Sequence, residues 1–225
     1  MVKNLQPIEY GGLGVLYLKL AGYNYVRTWK SLHSNWSHRE PLKCKISMTK
    51  AYRVLIGHTE VHPAFKWIWR SSCRYKHKVF FWILLKDRLS TRELLRRKNM
   101  DLPSYDCVLC TQPTEETLEH LIFKCDFAQA CWFSLNLSID TDDELFITLE
   151  HFKHQLGVNF YMEIIILMSW CIWVSRNDHI FQGIQPSIPN CRAIFKKEFS
   201  LVIHRAKKKY FPLIEEWLEH QLWSS

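Results

Sequence analysis

Cys107, Cys110, His120 and Cys125 stand in the frame C-x2-C-x9-H-x4-C. Thiolate and imidazole are the donors that Zn²⁺ prefers, and finger-type sites carry them in two close pairs separated by a longer span. Here two thiols a tight turn apart precede an imidazole and a thiol about one helical turn apart, which presents four donors to one tetrahedral ion. Four protein donors leave no coordination position for a substrate, so the frame points to structural Zn²⁺ and not to a reaction centre. C-x2-C alone also fits a redox dithiol, whose βαβ setting this segment lacks, or two ordinary buried thiols. Cys131 is an alternative fourth ligand, although Trp132 beside it points to packing, and His151 with His154 reads as a surface pair.

The elements that must hold these donors are helical. The chain has 225 residues, 48% of them apolar, which suffices for a real core in one or two domains. Ten Trp and thirteen Phe make that core aromatic, while seven Gly and eight Pro leave little turn chemistry for a many-stranded β protein. Thr117 is placed to cap a short helix over 118–124, with His120 in its first turn and Cys125 at its end. Cys107 and Cys110 come from a knuckle after Pro103, against which Leu118, Leu121 and Ile122 can pack.

Upstream, Phe65, Ile68 and Trp69, then Val79, Phe80, Trp82, Ile83 and Leu84, recur at helical spacing. Ser90-Thr91-Arg92-Glu93 reads as a capping box with Ser90 as the cap, opening a helix that Asn99 terminates. Downstream, residues 160–182 form a long apolar helix whose most apolar window, Ile164 to Val174, spans 11 residues. A bilayer needs about 20, so a buried helix and no membrane partner are expected. Gln185-Pro186-Ser187-Ile188-Pro189 reads as a linker, and Cys191 to Trp217 as a final amphipathic helix broken near Pro212. The glycines of Gly11-Gly12-Leu13-Gly14 lack the Lys-Ser/Thr of a phosphate loop. The expected fold is mainly α, in small irregular helical domains stapled by the Cys-Cys-His-Cys zinc site, with a helical C-terminal extension.

The formal charge of +8 favours polyanionic partners, chiefly nucleic acid. One cluster comprises Lys86, Arg88, Arg92, Arg96, Arg97 and Lys98, against the two acids Asp87 and Glu93, a local net of +4. A second comprises Arg205, Lys207, Lys208 and Lys209, with Lys196 and Lys197 before them in the expected final helix. Contacts would be mostly to phosphates, with RNA and DNA equally open. Part of the first cluster also suits the C-terminal end of its helix, where the dipole favours cations. The opening MVKNLQPIEY lacks the apolar core of a signal peptide, so a reducing intracellular compartment is expected.

Several of these residues together resemble one family. Phe65-x-x-Ile68-Trp69, Lys78-Val79-Phe80-Phe81-Trp82, Leu89-Ser90-Thr91, and Cys107-x-x-Cys110 through Glu116-Thr117-x-x-His120-Leu121 to Cys125 and Trp132 are similar to the zinc-binding domain of plant non-LTR retrotransposon reverse transcriptases. The resemblance covers residues 62–135. It leaves 1–61 as a segment like the end of the connection from the polymerase, and 136–225 as a helical extension with a linker near 183–190. Trp170-x-Ile172-Trp173-x-x-Arg176-Asn177 resembles the stretch that often precedes an RNase H module. The resemblance implies that the four ligands are the zinc set, that the domain assists binding of RNA or target DNA, and that it acts in the nucleus.

Polymerase chemistry needs paired aspartates on a hairpin, and RNase H needs carboxylates spread through a mixed sheet. Asp142-Asp143 follows Asp140-Thr141 in a polar stretch without flanking strands, so no catalytic residues are expected. Two other readings stay open: a protein-interaction scaffold stapled by zinc, and a degenerate retroelement fragment without function.

Overall fold

A computed structural model describes residues 62–223, with side chains described to residue 220. The Gly11–Gly14 cluster, the expected helix start at Ser47 and the expected segment 1–61 lie outside the described residues. The chain divides into two units between Lys66 and Trp67, and the metal frame lies in the second. Among the described residues no strand forms, and the β contact present is an isolated antiparallel bridge between Asp106 and Glu115. The mainly helical expectation holds.

The helices are α1 (Ala64–Arg70), α2 (Tyr75–Leu85), α3 (Arg92–Arg97), α4 (Asp126–Phe133), α5 (Leu145–Leu156), α6 (Tyr161–Gln182), α7 (Ile188–Ser200) and α8 (Phe211–Trp223). A π-turn over His120–Lys124 precedes α4, and a 3₁₀ turn over Lys208–Tyr210 precedes α8. α6 organises the rest, with α2, α4, α5, α7 and the π-turn packed around it. Its 22 residues lack Gly and Pro and bury a run from Met162 to Ser169, then Cys171, Ile172, Ser175 and Arg176. At a rise of about 1.5 Å per residue it spans about 33 Å. No helix of the described residues is long and apolar enough to cross a membrane.

Gly183, at φ +68°, ends α6 with its amide donating to the His179 carbonyl at 3.1 Å. Glycine reaches this left-handed conformation without steric cost. Ser187 then caps α7, accepting from the Asn190 amide at 3.3 Å, and Pro189 sits in the first turn, where its missing N–H is no loss. The Pro-rich stretch is thus a short connection between two packed helices.

Aromatic side chains hold the layers. Trp132 lies 4.6 Å from Phe152 and 5.9 Å from Phe123 between ring centroids, which joins α4, α5 and the π-turn. Phe160, Phe199 and Trp217 form a second group at 5.2–6.1 Å across the start of α6, α7 and α8. The Phe80 and Trp170 rings meet edge-on at 5.1 Å between α2 and α6. Such pairs add to the free energy of burying their area.

Three local expectations are corrected. Thr91, not Ser90, caps α3, accepting from the Leu94 amide at 3.2 Å. Glu93 pairs forward with Arg97 at 2.7 Å, and the α3 amide of Arg92 instead finds Glu116 Oε1 at 3.0 Å, so a distant carboxylate replaces the capping-box one. The last helix breaks at Leu201, well before Pro212, which stands in the first turn of α8, the position that tolerates proline. Arg205 and Lys207–Lys209 consequently lie in the turn between α7 and α8, outside both helices.

Candidate metal centre

Each half of the metal frame is built locally. In the first half, the Cys107 amide donates to the Thr114 carbonyl at 2.7 Å and the Glu116 amide to the Tyr105 carbonyl at 2.9 Å. This short antiparallel clasp turns the chain at Val108 and Leu109 and brings Cys110 back over Cys107. Arg92 braces the approach, with its Nη1 donating to the carbonyls of Ser104 at 3.3 Å and Asp106 at 3.0 Å.

In the second half, Thr117 Oγ1 accepts from the His120 amide at 3.1 Å, as its expected capping role requires. The turn that follows is wider than α, since the Cys125 amide donates to the His120 carbonyl at 2.7 Å, five residues back. In an α-helix, residues five apart diverge by about 140° around the axis. The π-turn narrows that divergence and lets His120 and Cys125 approach one point. π-bulges are frequent at functional sites.

The four donor atoms lie within 4.8 Å of one another. Cys110 Sγ is 3.0 Å from His120 Nε2 and 3.2 Å from Cys125 Sγ, and Cys107 Sγ is 3.9 Å from Cys125 Sγ. Tetrahedral zinc with Zn–S bonds of about 2.3 Å needs S–S edges of about 3.8 Å. The Cys107–Cys125 edge meets this and the Cys110–Cys125 edge is shorter, and three sulfurs and one ring nitrogen gathered this closely could hold a single Zn²⁺.

The hydrogen bonds favour the thiolate at Cys125 and the neutral thiol at Cys107 and Cys110. The Cys107 thiol, then His120 and the Ala128 amide, donate to Cys125 and pull its pKa down to about 4 against the cost of burial. Cys125 also caps α4, where the helix dipole favours an anion. Cys107 is pushed up mainly by its hydrogen bond to Cys125, and Cys110 to about 11 mainly by burial. The amides of Leu109 and Asp126 donate to Cys107 and Cys110. Such N–H···S bonds are the outer-shell support that orients metal ligands.

The alternative ligands stand elsewhere. Cys131 faces Cys191 of α7 at 3.4 Å inside the core, and His151 is exposed and bonded to Asp143 at 2.7 Å. Asp142 and Asp143 lie in the polar turn before α5.

In the first basic cluster, Arg96 pairs with Glu115 at 2.5 Å and lies over the Tyr105 ring, and Arg97 pairs with Asp87 at 2.6 Å. With Arg92 engaged at the knuckle, three of these cations already serve the fold around the metal frame. Lys98 and Arg88 are exposed, and Lys86 is half-buried. In the second cluster Arg205, Lys207, Lys208 and Lys209 are all exposed, and none has an acidic partner among the described residues. Lys209 lies over the Tyr210 ring at 4.8 Å. Sequence reasoning missed Glu116 and Arg176 as site residues, although each stood inside a stretch singled out for another reason.

A helical unit with a three-thiol, one-imidazole cluster has the donor set of a zinc-binding domain. Residues 46–132 match the family described as zinc-binding in reverse transcriptase, so the chain carries a reverse-transcriptase zinc-binding domain. The match begins earlier than the expected residue 62, ends at Trp132, and covers less than half of the chain. No curated protein and no solved structure matches the chain.

Proposed function

We propose that this chain is a nucleic-acid-binding module of a non-LTR retrotransposon reverse transcriptase, with structural zinc and no polymerase or RNase H chemistry of its own. The observation that carries the reading is the exposed turn between α7 and α8, where Arg205, Lys207, Lys208 and Lys209 stand in residues 199–214 without one acid. Exposed lysines held apart from carboxylates keep their full charge for phosphates, whereas an already paired arginine must first give up its partner. The net charge of +8 and the family match support it. Bound Zn²⁺ would supply a four-way crosslink, and Cys107, Cys110, His120 and Cys125 would hold it. Thr117, Glu116 and Arg92 keep those ligands converged. The product would work in the nucleus, where a DNA-integrating parent acts.

Fluorescence anisotropy with single-stranded RNA, single-stranded DNA and duplex DNA tests the reading. Binding at micromolar protein and low salt is expected for at least one of them. Binding to none would refute it and leave the protein-interaction scaffold as the better description.

A further inference from the structure

Glu116 and Arg176 are both buried, at 0% and 4% exposure, 60 positions apart in the chain. Arg176 Nη2 donates to Glu116 Oε1 at 2.6 Å and its Nε to Oε2 at 3.3 Å, a two-point pair that fixes both planes. Nη2 also reaches the Ser90 carbonyl at 3.5 Å, and the guanidinium lies over the Trp173 ring at 5.1 Å. Arg176 comes from α6, beyond the end of the family match at residue 132.

Glu116 is the junction of the metal frame. Its amide closes the clasp that holds Cys107, and its carbonyl accepts from the Glu93 amide at 3.2 Å. Its Oε1 caps α3 through the Arg92 amide, and the next residue, Thr117, holds the His120 amide. Both ligand pairs are therefore indexed on one residue, whose side chain is fixed from α6. A buried carboxylate stripped of its guanidinium would take up water or a proton, and either changes the hydrogen bonds that Glu116 makes at this junction.

We infer that Arg176 is a positioning residue for the metal centre: acting through Glu116, it holds the two ligand pairs in register, so the zinc site is completed by a helix outside the matched domain. This rests on the zinc reading of the four ligands. It gives the second resembling stretch, around Trp173 and Arg176, a role at the site 60 residues upstream.

Transfer of zinc from the full-length, zinc-loaded chain to a chromophoric chelator tests it, with urea midpoints at saturating zinc as the measure of folding. Arg176→Met should release zinc at least about 10-fold faster than wild type, Arg176→Lys by an intermediate factor, and Lys196→Met at the wild-type rate. If Arg176→Met fails to fold, the pair Glu116→Gln with Arg176→Met removes the stranded charge. That pair should regain a stable fold yet still release zinc fast and show cobalt bands displaced from wild type. A folded Arg176→Met or double variant with wild-type zinc release and cobalt spectrum overturns the positioning role alone. A wild-type chain that holds no zinc overturns the metal reading itself, and the inference with it.

Discussion

Cys125 stands at two places at once: its thiol lies in the four-donor cluster, and its backbone is the entry to α4, with the Ala128 amide donating to the sulfur. The convergence of the four donors was legible in the sequence because their spacing is that of two close pairs on either side of a longer span. The Glu116–Arg176 pair was not, since a buried charge leaves no local periodicity to find. His77 illustrates the same blindness. It is 1% exposed with both ring nitrogens lacking a hydrogen-bond partner, and burial lowers its pKa to about 4 even though Glu198 Oε2 lies 3.6 Å away. Arg74, Lys76 and Arg205 nearby push in the same direction as burial. Because the folded pKa lies below the unfolded value of about 6.5, the unfolded chain takes up the proton first. The stability contributed by neutral His77 is complete above that value and is lost as pH falls toward 4. Between about pH 7 and pH 5 the wild type should lose about 1–2 kcal/mol more than His77→Leu. Urea midpoints of both proteins at each pH, with zinc saturating, measure the difference.

At the scale of elements, the π-turn and α4 form one device. Trp132, fully buried, donates from Nε1 to the Ile122 carbonyl at 2.8 Å and so anchors the wide turn from the helix that follows. Trp132→Phe keeps most of the ring but strands that carbonyl, and should cost about 1–3 kcal/mol of unfolding free energy in urea titration. Thr117→Val removes the cap on the His120 amide and should cost about 1 kcal/mol in the same titration. Helix identities were legible from apolar spacing, and the long core helix at 160–182 emerged nearly to the residue as Tyr161–Gln182. The π-turn was not, because a single wide turn leaves the apolar pattern almost unchanged. Of the neighbouring hydroxyls at Ser90 and Thr91, the capping-box spacing to Glu93 selected Ser90, and it failed because Glu93 pairs forward with Arg97 while Thr91 caps the helix. Pro212 forbids a helix interior and favours a first turn, and which applies depends on where the preceding helix stops.

Across the whole molecule, charge is divided between fold and surface. Arg92, Arg96 and Arg97 are bound up with the knuckle, Glu115, Asp87 and Glu93, whereas the turn before α8 keeps its cations free of acids among the described residues. Clustering along the chain was visible from sequence, but pairing across it required the fold. Four phosphate contacts on a single strand give a log–log salt slope of about −3, so affinity should fall roughly 50-fold between about 50 and about 200 mM salt. Replacing Lys207, Lys208 and Lys209 together by Ala should flatten that slope by about 2, whereas Arg96→Ala should change it little. Anisotropy titrations across a salt series read both effects.

The metal content of the purified full-length chain bears most directly on the centre that organises all three scales. One equivalent of zinc per chain is expected, falling to none in Cys110→Ser with loss of the folded helical unit. A wild-type chain without zinc, or one that keeps its full helicity after chelation, would contradict a structural zinc centre.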